Sequence, residues 1–457
     1  MSASWCVFGL RRFAVLVAAG VILVSSACVP PAARSGSSGV ATLVADRGGW
    51  RPDWSTADTA RVHLAIPVGV LDGDSAVRLA ILRSPRVRAV LEEVGIAQAD
   101  LWQASLLPNP VSDFAYGFPA GSPAAVTAGV GFGIIRALQV PLRRRVVAAE
   151  LAAPERRVAD AILGTATETQ RAYTTVQHAQ QMLELRQTVA SAGAAAAAAA
   201  KALRDAGNVP VLTLVSEETI AAQTESDVLE AQGDLAGARA QLGRLLGAGV
   251  ADTAWSIDLL LANPPAQDPS LALLDSLALA RRLDVAAARE SARASAEAVG
   301  LASHFRLLAD GTLGAFYQRD PDGRFIGPAA NVPVPLFDQG NAAVARAHAL
   351  LRQRVALHDA LVVDAHADVR LRLGLLAAAR MRAQQLRTVV LPLRRRMVEE
   401  TQKHVSAMDL SVFVLLQARQ AEIDAGRGYL NSLRDYWIAR AELERATGGR
   451  LPVPATP

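Results

Sequence analysis

Few side chains in this sequence are arranged for chemistry. The seven histidines are His63, His178, His304, His348, His358, His366 and His404. None pair at the i, i+4 spacing that lets two imidazoles on one helix face share a metal ion, and no His-Glu-x-x-His occurs. The five methionines are scattered, so no soft-metal site is built. No Gly-x-Ser-x-Gly, phosphate loop or dinucleotide fingerprint is present. The carboxylate pairs Glu217-Glu218 and Glu399-Glu400 fall in helical stretches and read as solvated faces. With 47 basic and 43 acidic residues, only Lys201 and Lys403 as lysines, and no basic run interleaved with aromatics, nucleic-acid binding has no footprint. The expectation is a protein that is not an enzyme, needs no cofactor or metal, and takes any energy it uses from another protein.

One residue does invite covalent chemistry. Arg11 and Arg12 precede an apolar run from Phe13 to Val24, too short to span a bilayer but matching a secretory signal. Small residues Ser25, Ser26 and Ala27 follow, and then Cys28. This resembles the bacterial lipoprotein signal, in which the cysteine becomes the lipid-bearing N-terminus, although Ser25 stands where leucine is usual. Ordinary cleavage after a small-x-small site stays open as the alternative. Val29 after the cysteine resembles an outer-membrane sorting address. Pro30 to Gly39 then reads as a flexible tether. Cys6 lies in the removed leader, so Cys28 has no disulfide partner in the mature chain.

The elements that would carry any function come in two copies. Asp74-Ser75 recurs as Asp275-Ser276, and Leu242 with Gly247 recurs as Leu443 with Gly448, each 201 residues on. Val140-Pro141-Leu142 returns as Val334-Pro335-Leu336. The boundaries predicted are a signal over 1–27, a tether and extended segment over 28–73, a first repeat over 74–250, a linker over 251–272, a second repeat over 273–449 and a tail over 450–457. Ala221, Thr224, Val228, Ala231, Leu235, Ala238, Leu242 and Leu245 follow a 3-4 spacing, the seam of a coiled-coil contact. Ile423, Gly426, Leu430, Leu433 and Trp437 repeat it. Ala287, Ser291, Ala294, Ala298 and Ala302 form a small-residue seam. The spans from Leu142 to about Arg204 and from Asn341 to about His404 have no internal stop. Each would reach roughly 90–95 Å at 1.5 Å per residue, which suits a bundle or tube rather than a compact globule.

About half the chain is apolar (51%), yet it lacks the roughly 18-residue apolar run of a membrane helix. Alternation supplies another route into a membrane. Phe114, Tyr116 and Phe118 alternate with small or polar neighbours, as do Val126, Ala128, Val130, Phe132 and Ile134. In the second copy Leu313, Ala315 and Tyr317 alternate with Thr312, Gly314 and Phe316, and Asp320-Pro321-Asp322-Gly323 makes a turn before Phe325. One hairpin is therefore predicted in each repeat, at about 111–140 and about 311–337. Four strands cannot close a barrel, and open edges are not tolerated in lipid, so several chains would have to share one.

In this order the chain resembles the outer membrane efflux protein family, the TolC-like exit ducts. The resemblance rests on Ser84-Pro85 after a first helix and on Leu107-Pro108-Asn109-Pro110 before the first strand. Val334-Pro335-Leu336-Phe337-Asp338-x-Gly340 leads into the second long helix. Gly207-Asn208-Val209 with Leu212 and Leu214 resembles the family's helix–helix turn, and Trp437-x-Ala439-x-x-Glu442-Leu443 with Gly448 its close. It covers most of residues 74–449.

The resemblance implies a mainly α fold with a β-barrel portion. A long α-helical barrel and a transmembrane β-barrel would be shared by a homotrimer. It implies an outer-membrane location, with the helices tunnelling through the periplasm. The tips at 205–212 and 404–411 would meet a periplasmic adaptor protein coupled to an inner-membrane pump. Tip contacts would fall on Asp205, Gly207, Asn208, Val209, Leu212, Ser406, Asp409, Leu410 and Ser411. Outer-membrane lipid would meet hairpins bearing Phe114, Tyr116, Phe118, Phe132, Phe316, Tyr317 and Phe325.

Two departures stand out. Val405 is aligned with Gly207, and Ser411 and Val414 occupy places where some members carry aperture carboxylates. Asp205 and Asp409 are possible substitutes, with helix capping the simpler reading. A periplasmic coiled-coil lipoprotein acting as scaffold or adaptor is the other functional class, though it leaves the uncharged hairpins unexplained.

Overall fold

The computed structural model describes residues 37–54, 69–117, 125–249, 255–258, 260–265, 270–307, 310–320 and 323–451. Cys28, the leader, Phe118 and the tail beyond 451 lie outside them. Helix α1 (Ser37–Gly48) opens the described chain, then strand β1 (Gly69–Leu71), α2 (Gly73–Arg83) and α3 (Pro85–Ser105). Strands β2 (Val111–Gly117) and β3 (Ala125–Phe132) precede α4 (Ile134–Asp205) and α5 (Val211–Leu246). The second copy runs β4 (Trp255–Ile257), α6 (Leu271–Arg281), α7 (Leu283–His304), β5 (Thr312–Asp320) and β6 (Gly323–Asn331). It closes with α8 (Asn341–Gln385), a π-helical turn (Leu386–Val390), α9 (Leu391–Ser406) and α10 (Val412–Ala446).

The duplication is visible in how the helices end. Gly247 and Gly448, 201 residues apart, both take left-handed backbone (φ 64° and 80°) as they close α5 and α10. Each lies on the end of the short opening helix of its own repeat. A Cβ on Gly247 would sit 3.1 Å from the Arg83 carbonyl oxygen, and one on Gly448 2.6 Å from the Arg281 carbonyl carbon. Only glycine satisfies both the left-handed turn and the close approach. The two copies start side by side, since β1 pairs in parallel with β4 through Gly69–Trp255 and Leu71–Ile257.

The 72-residue α4 is the spine, about 108 Å long at 1.5 Å per residue. It begins eight residues before the predicted Leu142 and runs through Pro141 and Pro154, so Ile134 is helical and the first hairpin ends at Phe132. Each proline removes one intrahelical bond, a loss that packing on α1, α2, α3, α5, α7 and α10 outweighs. Around its lower half Val158, Ile162 and Leu163 pack with Val77, Ile81, Val87 and Leu283. Tyr173 and Val176 pack with Leu242, Leu246 and Trp255. The Tyr173 hydroxyl donates to the Leu71 carbonyl (2.9 Å). In the second copy Leu274, Val369, Leu376, Tyr436 and Leu443 form the corresponding core.

The tether reading fails over its last residues. Val40 and Val44, one helical turn apart, are fully buried against α2 and α4, and this apolar stripe folds Ser37–Gly48 as a helix rather than a flexible or extended chain. Within the segment read as a linker, the Ala262 carbonyl accepts from Trp437 Nε1 (2.8 Å) and Asn263 accepts from the Tyr429 hydroxyl (2.6 Å).

Candidate functional site: an open sheet and two helical tips

The two hairpins join edge to edge as one antiparallel sheet in the order β2-β3-β5-β6. Phe114 faces Ala128, Ala128 faces Tyr317, and Tyr317 faces Ile326. Residues directly opposite share a face. Phe114, Tyr116, Val126, Val130, Phe132, Leu313, Tyr317 and Ile326 therefore line one side, with Arg319 and Arg324 paired on it at the turn end of β5 and β6. Asp113, Thr127, Gly129, Gly131, Thr312, Gly314 and Gln318 line the other. Of the aromatics predicted for the hairpins, Phe316 and Phe325 fall on this second side. Phe316 lies over Gly327, where a Cβ would come within 3.1 Å of its ring. Gly314 fits a close approach between strands: a Cβ there would lie 2.1 Å from the Val130 carbonyl oxygen. The outer edges of β2 and β6 have no strand beside them among the described residues. Phe114 (73% exposed) and Ile326 (81%) lie uncovered on the apolar side.

At the far ends of the long helices the two tips are built alike. Gly207 N–H bonds the Arg204 carbonyl (2.9 Å) and Asn208 N–H the Leu203 carbonyl (2.8 Å), closing α4 with left-handed Gly207 (φ 79°). In the second tip Met408 N–H bonds Val405 O (3.0 Å) and Asp409 N–H bonds His404 O (2.9 Å). Met408 holds the left-handed position (φ 61°), 201 residues after Gly207. The alignment of Val405 with Gly207 is thus corrected: the turn's hydrogen bonds put Met408 there. It is 94% exposed.

Neither acidic tip residue starts a helix. Asp205 ends α4, and Pro210 precedes α5. Asp409 approaches His404 Nδ1 at 3.4 Å. Asn208, Leu212, Leu410 and Ser411 are exposed around the two turns, Val209 is half-covered, and Ser406 donates back to the Gln402 carbonyl (2.8 Å).

Between tips and sheet, polar bonds tie the repeats together along α4 and α10. Arg445 forks onto Asp160 (2.6 Å), Arg171 reaches Glu442 (3.1 Å), and His178 Nε2 meets Asn431 Oδ1 (2.8 Å). Burial holds the His178 ring below its ordinary value of 6.5, with Arg434 acting the same way. Burial also pushes Glu444 upward against the pull of Arg440 and Arg450.

Tipward of His178 the helix pairs part around a groove of about 900 Å³. One residue there departs from the solvated face that the sequence predicts. Glu217 is buried (6% exposed) whereas Glu218 faces water. The signal existed: extending the 3-4 seam back four residues from Ala221 lands on Glu217. Among the described residues no group of His, Cys, Asp and Glu could hold a metal, and no helix is long and apolar enough to cross a membrane.

No protein-family profile matches the chain, and no curated protein matches it in sequence. Solved structures do match in shape. CusC, described as forming a transmembrane channel, superposes with a TM-score of 0.69 at 15% identity, over 87% of this chain and 99% of its own. The Campylobacter jejuni CmeC outer membrane channel gives 0.71 at 14% identity, over 82% and 85%. The outer-membrane channel OprN gives 0.69 at 17% identity, over 87% and 98%. A duplicated helical chain, with one four-stranded sheet and two helical tips, has the fold of these outer membrane channels.

Proposed function

We propose that the protein is the outer-membrane exit duct of a tripartite efflux system, passively conducting substrates that an inner-membrane pump and a periplasmic adaptor deliver. The carrying observation is the four-stranded sheet with one mainly apolar face and two edges that have no neighbouring strand among the described residues. In lipid every strand edge has to be paired, so the sheet needs partners. Three copies supply twelve strands and a closed barrel. Its apolar face meets lipid and its glycine-rich, polar face lines the lumen. The helices continue the lumen through the periplasm, and the tips meet the adaptor.

A second feature supports assembly from identical copies. Leu350, Leu357, Leu371, Leu375, Val389, Leu393 and Met397 are exposed along α8, the π-helical turn and α9 in a single chain, an apolar surface that a neighbouring copy would cover. Lipid on Cys28 would add a second anchor.

Sedimentation in detergent tests this directly. The wild type should run as a detergent-requiring trimer that conducts in planar bilayers, and Leu371→Glu with Leu375→Glu should yield monomer without conductance. A wild-type monomer in detergent would sink the proposal. Deleting the gene and scoring sensitivity to metal salts, dyes and antibiotics would identify the cargo class; the scaffold alternative predicts no change.

A further inference from the structure

Where the two long helices leave the sheet, each hairpin is followed by a helix that starts basic. Along α4 from Ile134 come Arg136, Arg143, Arg144 and Arg145 before the first carboxylate, Glu150; along α8 from Asn341 come Arg346, Arg352 and Arg354 before Asp359. Arg136 is held by Asp310 (3.2 Å) and Arg143 by Gln139 (2.8 Å). Arg144, Arg145, Arg346 and Arg352 are exposed and have no hydrogen-bond or ion-pair partner among the described residues. The loops at this end of the sheet bring Arg306 and two carboxylates, Asp310 and Asp338, the latter accepting from the Gly340 N–H (2.9 Å). The helices α3 and α7, packed along α4 and α8, add the carboxylates Asp100 and Glu297 in their last two turns. Arginine stays in surplus, and a second copy would bring the same surplus rather than cancel it.

An apolar tier lies between the sheet and these arginines. Ile134 and Leu138 are exposed one turn apart on α4, and Arg145, seven residues further, shares their face. Val332, Val334, Leu336 and Phe337 are exposed between β6 and α8, and Trp102 is part-exposed in the last turn of α3. Arg144 and Arg145 lie about 15–17 Å along α4 at 1.5 Å per residue, and their flexible stems can carry the guanidinium back toward the sheet. Apolar sheet face, apolar tier and then arginine is the profile of a chain leaving hydrocarbon through a headgroup layer.

We infer that this collar binds the headgroups of anionic phospholipids in the membrane leaflet on the helical side of the sheet, with Arg144, Arg145 and Arg346 as its principal contacts. The inference rests on the sheet being the membrane part, as proposed above. Charge selects the class, because the uncancelled groups are cations and a guanidinium fork matches two phosphate oxygens. Position selects lipid over dissolved phosphate, because exposed apolar residues border the arginines on their sheet side.

The test uses the full-length protein in detergent, with phosphatidylglycerol as the probe and zwitterionic phosphatidylcholine as its counterpart, and follows bound lipid by native mass spectrometry. The wild type is expected to retain phosphatidylglycerol in preference to phosphatidylcholine, and inorganic phosphate should not displace it. Changing Arg144→Gln, Arg145→Gln and Arg346→Gln together should lower phosphatidylglycerol affinity about tenfold or more and leave the helical circular dichroism unchanged. An equal loss of charge far from the sheet, through Arg387→Gln, Arg394→Gln and Arg396→Gln, should leave the affinity as it was. Equal retention of the two lipids would overturn the inference, as would unchanged affinity in the first variant, displacement by inorganic phosphate, or an equal loss in the second variant. Sedimentation and conductance in phosphatidylcholine bilayers read the duct separately. A conducting trimer without the lipid preference overturns this inference alone, whereas a wild-type monomer overturns the duct reading and this one with it.

Discussion

The two repeats share a blueprint yet differ in what surrounds them. In the first, α4 is one uninterrupted helix packed on many sides, exposing few large apolar residues: Ile134, Leu138 and Leu203. In the second, the equivalent span is broken by the π-helical turn at Leu386–Val390 and exposes an apolar face along most of its length. A π turn lodges an extra residue in the helix and swings the following side chains around the axis. The contrast shows that duplication preserved the turns and seams, while the faces diverged with their neighbours. One long helix is satisfied within its own chain, and the other exposes the face proposed above to meet another copy.

The matched glycines offer the strongest way to sharpen that comparison. Gly448→Ala should destabilise the protein by about 3 kcal/mol, combining left-handed strain with a backbone clash at 2.6 Å. Gly247→Ala should cost about half as much, because its contact is looser at 3.1 Å. Thermal unfolding in detergent measures both, and equal effects would mean the two closures are equally tight.

The tips provide a smaller, cleaner exchange. A Cβ at Gly207 meets nothing within 4 Å, so Gly207→Met should cost only the left-handed backbone term, about 1 kcal/mol. The reverse change, Met408→Gly, should stabilise by about 0.5–1 kcal/mol, reduced by glycine's greater freedom in the unfolded chain. If Met408→Gly destabilises instead, the exposed thioether makes a contact in the assembled protein that a single chain lacks.

The smallest effect concerns the joint between the repeats. The folded state holds His178 neutral, chiefly through burial, so its contribution is full above the ordinary value of 6.5. It is lost as pH falls below that through the lowered folded value. His178→Gln should therefore flatten part of the decline in melting temperature between about pH 7.5 and about pH 5. An unchanged slope would assign the decline to other groups.

Periodicity and spacing alone determined much of this. The alternation of aromatics pointed to two hairpins, the 3-4 seam to a coiled-coil contact on α5, and the 201-residue recurrence to two repeats. These signals are local, because a strand or helix face is written in residues a few places apart. The tertiary structure alone decided four matters. It carried α4 through two prolines, because surrounding contacts outweigh a lost hydrogen bond. It put Met408, not Val405, in the glycine position, because turn geometry rather than spacing assigns the left-handed residue. It set Phe316 and Phe325 across the sheet from Phe114, because register between distant strands chooses the face. It buried Glu217 while exposing its neighbour Glu218, because only packing distinguishes two adjacent acids on one helix.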